Sequence, residues 1–169
     1  MRTDVQLNEL SDEMLSRLVR HALLDSDIHE VMPAGPGPAT WTPERVDEFV
    51  LFHHSRRGGL DGPAGEVSWA ILVDSRAAGV VRLQRVASGS LEVGMWLTRS
   101  TRGRGIGGQV LTSMVSRAAT LGANRLVAVT TSTNQAALSA LAHIGARMYA
   151  PTADGRVRAE IDLIKPPGA

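Results

Sequence analysis

The chain has no cysteine. Disulfides, thiolate metal sites and any two-step transfer through a cysteine nucleophile are therefore excluded. Aromatic residues make up only 4% of the sequence, too few for the stacking surface on which single-stranded nucleic acid is held. Neither sign of charge dominates. The formal net charge is +1, so no strong field steers the protein toward nucleic acid or an anionic membrane. No run of 18 apolar residues offers a transmembrane span, and "MRTDVQLNEL" has no apolar signal-peptide core, so the cytoplasm is the expected compartment. The histidines, His21, His29, His53, His54 and His143, do not fall at metal-ligand spacing, and no metal site is expected. Lysine is nearly missing as well: Lys165 is the only one among 18 basic residues.

The 169 residues suit one domain, 1–169, with a buried core. Val5 and Leu7 alternate with polar neighbours as a short first strand. Ser11 caps a helix whose first turn carries Asp12 and Glu13, and whose inner stripe is Met14, Leu15, Leu18, Val19, Ala22 and Leu23. The segment from Met32 to Thr40, "MPAGPGPAT", breaks every helical register. Thr42-Pro43 opens a second helix with Val46, Phe49, Val50 and His53 inward. Three strands follow, "EVSWAILVD", "AGVVRLQRV" and "SLEVGMWLT", with Trp69 expected in the core beside Ile71. A helix then buries Val110, Leu111, Met114, Val115, Ala118 and Leu121 and stops at Gly122. "NRLVAVTTS" is an apolar strand, "NQAALSALAHIG" a short helix, and the remainder two strands turning at Asp154-Gly155. The expected order is β-α-α-β-β-β-α-β-α-β-β. That is an α/β fold with a mixed, mostly antiparallel sheet of six to seven strands and about four helices on its two faces.

Between the third of the three strands and its helix lies "RGRGIGG", residues 102–108. Glycines let consecutive amides converge on one anion, and the expected left-handed positions are Gly105, Gly107 and Gly108. A helix starting near Gly107 adds its positive end, and Arg102 and Arg104 offer guanidinium groups to phosphate oxygens. The alternative is a flexible solvated turn. A Walker loop is excluded because Gly108-Gln109 stands where lysine and a hydroxyl residue are needed. A dinucleotide fingerprint is excluded because the loop follows three consecutive strands, and no acidic ribose reader ends the next strand.

Arg102-Gly103-Arg104-Gly105-Ile106-Gly107 resembles the acyl-CoA pyrophosphate motif, Q/R-x-x-G-x-G/A, of the GNAT superfamily of N-acetyltransferases. "LEVGMWLTRSTRGRGIGGQVL" further resembles the branch that acetylates ribosomal-protein N-termini, with Glu92, Gly94 and Trp96 on matching positions. "TSTNQAALSALAHIGARMY" is similar to that branch's N-x-x-S…G-F segment through Asn134 and Gly145. The likeness extends over essentially the whole chain, and residues 91–145 carry its specific part. It implies a fold in which strands four and five diverge. Acetyl-CoA is then the donor: pantetheine lies along Gly94, Met95, Trp96 and Leu97, and the pyrophosphate rests on Arg102, Gly103, Arg104, Gly105, Ile106, Gly107 and Gly108. A main-chain N–H in this segment would serve as the oxyanion donor. Asn134 is implied to contact the pantetheine arm or order the site, and its amide can also cap the next helix, the two roles being compatible.

Glu92 has two readings. Alternation puts it with Gly94 and Trp96 on one strand face, opposite Leu91, Val93, Met95 and Leu97. A carboxylate within an apolar strand suits a general base that takes the amine proton directly or through water. It also suits an ion pair with Arg82 on the preceding strand. Two departures from the family stand out. Ala137 occupies the place of a serine, and Leu141 the place of a tyrosine, that protonates the leaving thiolate. Ser139 lies about 200° round the helix from Ala137 and cannot simply substitute. Tyr149, the only tyrosine, either approaches from the sixth strand or covers the core at an edge. The resemblance places the acceptor among His29, Glu30, the proline-rich loop, Trp41 and His53 or His54. His53 reads more readily as packed, and His54 with Arg56 and Arg57 as solvated. The acceptor is a protein N-terminus or a small-molecule amine, and homodimers are frequent in the fold resembled. A non-catalytic acyl-CoA-binding module is the alternative.

Overall fold

The computed structural model describes residues 3–33 and 37–163. Residues 34–36 of the proline-rich segment, and 164–169 with Lys165, lie outside the described residues. The elements run β1 (Val5–Glu9), α1 (Asp12–Asp25), α2 (Ile28–Val31), α3 (Pro43–His54), β2 (Glu66–Val73), β3 (Arg76–Ala87) and β4 (Ser90–Leu97). A 3-10 turn (Arg99–Thr101) leads to α4 (Ile106–Thr120), β5 (Arg125–Thr131), α5 (Gln135–His143), β6 (Arg147–Met148) and β7 (Arg156–Asp162). The strands form a seven-stranded sheet in the order β1-β2-β3-β4-β5-β7-β6, mostly antiparallel, with β4 and β5 parallel.

Local chemistry explains the boundaries. The Ser11 hydroxyl accepts from Met14 N and starts α1, and Thr42 accepts from Arg45 N and starts α3, with Pro43 where a missing N–H costs nothing. The one-turn helix α2 was not expected. It closes a reciprocal capping box in which the Asp27 side chain takes a first-turn N–H while Glu30 takes the Asp27 N–H. The β2–β3 hairpin turns through Asp74 and Ser75, both in the left-handed region as a two-residue hairpin loop demands. The expected stripes are mostly buried, but Leu23 and Leu121 are 43% and 45% exposed. Leu23 sits at the edge of its helical stripe, and Leu121 is the C-cap residue just past the last turn of α4. Trp69 is half-buried rather than a core residue.

By contacts the chain divides into two compact units, Met1–Val81 with Met95–Arg102, and Arg82–Gly94 with Gly103–Ala169. In the first unit, Leu15 and Leu18 of α1, Ile28 and Val31 of α2 and Phe49 of α3 pack with Ala70, Leu72 and Val80 of the strands. In the second, Leu141 and Ile144 face Val93, Leu126, Ala128, Ala159 and Ile161 across an apolar layer, so α5 lies on that face of its strands. α4 packs beside α5 and buries Val110, Leu111, Met114 and Ala118.

His53 belongs to the first core. It packs edge-on against Phe49, with ring centroids 4.6 Å apart, and against Phe52 at 5.3 Å. Both ring nitrogens are buried without a hydrogen-bond partner among the described residues. Burial, helped by the charges of Arg56, Arg57 and His54, holds its imidazole down at about 4. The unfolded chain therefore takes up a proton that the fold refuses between pH 6.5 and about 4. Stability from this residue is complete above 6.5 and falls as pH drops through that window, by at most about 3 kcal/mol. Urea unfolding at pH 7, 5.5 and 4.5 should show this acid loss in the native chain and a shallower one in His53→Leu. Equal pH slopes would contradict the assignment.

Candidate active site

The parallel ladder between β4 and β5 covers Ser90–Val93 against Arg125–Ala128 and goes no further, although β4 continues to Leu97 and β5 to Thr131. On its other side, the end of β4 is pinned. Thr98 N donates to Ala78 O at 2.8 Å. A Cβ added at Gly79 would stand 2.0 Å from Trp96 O, a distance no real atom tolerates, so glycine is required there. Trp96 turns its indole edge-on to Phe49, with centroids 6.2 Å apart, and packs against the first core. Met95 is 36% exposed and Leu97 half-buried.

The glycine loop departs from expectation in detail. Its left-handed residues are Gly103 and Gly105, at φ 71° and 75°. Gly107 and Gly108 lie in the first turn of α4, which begins at Ile106, and neither is left-handed. Gly105 is the N-cap and provides no side chain to the helix end, and the first turn carries no acidic residue. Gln109 N is the first amide to close a helical turn, onto Gly105 O at 3.3 Å. By helix geometry the N–H groups of Ile106, Gly107 and Gly108 precede that ladder. A Cβ at Gly103, Gly105 or Gly108 would meet nothing within 4 Å, so no neighbouring atom crowds those three glycines on that side. Ile106, 1% exposed, anchors the helix start, and Arg104 is exposed at the loop's crest.

Arg102 is engaged elsewhere. Its Nε donates to Leu97 O at 2.9 Å, and Nη1 and Nη2 donate to the two oxygens of Glu30 at 3.1 and 3.2 Å. Arg99 adds Nε to Glu30 at 3.4 Å and Nη2 to Asp27 at 3.8 Å. Ser100 donates its N–H and hydroxyl to Asp25 at 2.9 and 2.5 Å. The Arg102 hydrogen bond leads the effects that hold the Glu30 carboxyl down at about 2. Sequence reasoning offered Arg102 to phosphate and Glu30 to the acceptor. The structure joins them to each other, a pairing 72 residues apart that no local pattern announces.

Glu92 is half-buried, with Oε1 3.4 Å from Arg82 Nη2. Of its two readings, the ion pair is the arrangement present. Arg82 also donates to Gln84 at 2.8 Å, and its guanidinium crosses the face of Gly94, where a Cβ would come within 2.7 Å of it. Asn134 caps α5, its Oδ1 accepting from Ala137 N at 3.1 Å. Leu141 is 4% exposed and packed inward. The Tyr149 hydroxyl donates to Glu160 and accepts from Arg147 Nε, both at 3.1 Å, so it is held in a polar network and is 42% exposed rather than covering the core. Among the acceptor-side candidates, Trp41 Nε1 donates to Ser26 O at 2.9 Å and its ring meets Phe49 edge-on at 5.8 Å. His29 N donates to Asp27, and His54 joins Arg57 on Asp12, its Nε2 3.1 Å away. These side chains cap and brace the first unit. Among the described residues no group of three His, Cys, Asp or Glu could hold a metal ion, and no helix is long and apolar enough to cross a membrane.

Gly79, which the sequence pattern does not single out, is required by the Trp96 carbonyl beside it. Nothing but a lone glycine inside an apolar strand marked it. Gly79→Ala must push β4 away from β3 at Trp96 and should cost about 1–3 kcal/mol in urea unfolding. Stability equal to the native chain would contradict the contact.

The architecture and the sequence match known proteins. The GNAT domain of PAT from S. lividans superposes with a TM-score of 0.69 at 20% identity, over 95% of this chain and 90% of that one. RimL, a ribosomal-protein alpha-N-acetyltransferase solved with coenzyme A, gives 0.69 at 17% identity over 94% of each chain. The Campylobacter jejuni N-acetyltransferase PseH, in complex with acetyl coenzyme A, gives 0.66 at 13% over 95% and 99%. At these identities the structures establish the fold. No curated protein matches by sequence. The family model for the acetyltransferase (GNAT) domain matches residues 5–147, and the chain belongs to that family.

Proposed function

We propose that this protein transfers an acetyl group from acetyl-CoA directly to a primary amine, that of a protein N-terminus or a small molecule, in a ternary complex. The observation that carries this reading is the β4–β5 ladder ending at Val93, followed along the chain by an uncapped, glycine-led helix start. The first leaves β4 amides uncommitted to β5. The second gathers amides and a positive helix end with no carboxylate to compensate them. The first suits an extended amide-bearing arm, and the second suits a pyrophosphate.

In this reading the amides of Gly103–Gly108, with Arg104, receive the pyrophosphate. Arg102 acts from behind, holding the loop's leading edge to Glu30. Main-chain groups of Gly94, Met95, Trp96 and Leu97 align the pantetheine arm, and one N–H of this segment stabilises negative charge on the carbonyl oxygen. When bound, acetyl-CoA supplies an activated thioester. The absence of cysteine makes direct attack by the amine the route. Glu92 accepts the amine proton, through a water where the reach requires it, and Arg82 fixes the carboxylate's orientation. Asn134 orders the start of α5 and reaches the pantetheine arm. With Ala137 and Leu141 in place of the family's proton donors, the thiolate takes its proton from solvent. A non-catalytic acyl-CoA-binding module is a second reading, favoured by the inward packing of Leu141 and the engagement of the Tyr149 hydroxyl with Glu160.

Calorimetry with acetyl-CoA, and thiol release with a panel of peptides, polyamines and amino sugars, separate the two readings: both bind the cofactor, and the enzyme alone turns over. Glu92→Gln should lower kcat by roughly 10²-fold, the usual size of a general-base contribution, and leave acetyl-CoA affinity within a few-fold. Unchanged turnover across the pH range would remove Glu92 from the mechanism. A failure to bind any acyl-CoA would overturn both readings.

A further inference from the structure

The second unit presents a face opposite to that packed by α5, and its side chains follow from register. Glu92 lies opposite Val127, Val127 opposite Glu160, and Glu160 opposite Arg147, so one row crosses β4, β5, β7 and β6. Arg158, opposite Val129, stands in the next row, toward the end of β5 that β4 no longer pairs with. Glu160 is 7% exposed. Its carboxylate takes Arg158 Nε at 2.7 Å, the Tyr149 hydroxyl at 3.1 Å, Arg147 Nη2 at 3.4 Å and Arg125 Nη1 at 3.7 Å. Arg125 also reaches Asp162 at 3.3 Å, and Arg156 is paired with Asp154 at 2.9 Å. Among the described residues, the carboxylate that Arg147 and Arg158 touch directly is the buried Glu160, and Asp162 adds a longer-range attraction on Arg147.

Depth separates the charges. The carboxylate lies beneath, whereas the Arg147 and Arg158 side chains are 60% and 52% exposed. Arg158 uses Nε toward Glu160, and Arg147 uses Nη2 toward Glu160 and Nε toward Tyr149, which leaves both Nη groups of Arg158 and Nη1 of Arg147 outside those contacts. Two pre-oriented forks with their counter-charge below them form a receptor for a planar anion. Tyr149 and Val129, each about two-fifths exposed, give the patch an apolar floor. Two strand steps separate Glu160 from Glu92, about 10 Å.

We propose that this patch is the acceptor's anchoring site, and that the acceptor carries a carboxylate displaced from its reacting amine by the span between Glu92 and Arg158. Arg158 and Arg147 bind that carboxylate while the amine lies at Glu92. The inference rests on the acetyltransferase reading for the place of the amine. Two sources of this chemistry exist. One is a peptide N-terminus with an acidic side chain at its second or third residue, about 7–10 Å along an extended chain. The other is a free amino acid with its amine and carboxylate well separated.

The test pairs each acid with its neutral counterpart: Ser-Asp-Glu-led peptides against Ser-Asn-Gln-led ones, and 6-aminohexanoate against hexylamine. Thiol release with acetyl-CoA should favour the acidic partner at least tenfold in kcat/KM in one or both pairs, and the favoured pair identifies the source. Raising salt from 50 to 300 mM should shrink the preference. Arg158→Gln and Arg147→Gln, made separately in case one disturbs β7, should each collapse the ratio, with the loss in KM rather than kcat. Calorimetry of the same probes without acetyl-CoA reads the site independently of turnover. Charge-dependent binding without turnover supports the patch and sinks the enzyme reading. Turnover without preference for the acid, or binding insensitive to both variants, overturns the patch and leaves the enzyme reading intact.

Discussion

The parallel pairing of β4 with β5 lasts four residue pairs and then stops. The proposed function starts from that interruption. A strand that leaves its neighbour exposes main-chain donors and acceptors, and an extended ligand can satisfy them as a further strand would. The end of β4 is held from the opposite side. Gly79 lets the Trp96 carbonyl press onto β3, Thr98 bonds Ala78, and the Trp96 indole is held by Phe49. Past the strand, the chain enters α4 through two left-handed glycines without providing a cap, so the need for hydrogen-bond partners passes from strand to helix start.

At the start of α4 the backbone offers its amides with neither a side-chain cap nor an acidic residue in the first turn. Asp25, Asp27 and Glu30 hold Ser100, Arg99 and Arg102, which positions the segment just ahead of the glycine loop. Pairs this exposed contribute about 0–1 kcal/mol each, so their value lies in geometry. The two-pronged contact of Arg102 with Glu30 fixes direction as well as distance. Glu160 plays the same part for the arginines of β6 and β7. In both places a carboxylate orients guanidinium groups.

Much of this was legible in sequence because it is local. Caps at Ser11 and Thr42, the glycine-rich helix entry and the alternation through Leu91–Leu97 depend on neighbours a few residues apart. The Arg82–Glu92 pair was foreseeable for a related reason, since a short turn at Ser88-Gly89 brings adjacent strands into register. The turn of α2 was missed although Asp27-x-x-Glu30 announces it, because one capping box is weak evidence against a proline-rich setting. What stayed hidden is non-local. Arg102 meets Glu30 across 72 residues, and Gly79 is required only by the carbonyl opposite it. Fine dihedral detail was hidden too: Gly103 and Gly105 take the left-handed positions, while Gly107 and Gly108 are helical.

The proposed function requires that the β4 amides beyond Val93 and the amides at the start of α4 each respond to acetyl-CoA. Amide resonances of Gly94–Leu97 and Gly105–Gly108, followed by NMR during titration with acetyl-CoA, test it directly. The account predicts that both sets shift together with one saturation curve and exchange more slowly with solvent when saturated. Shifts confined to one set, or to neither, would contradict it.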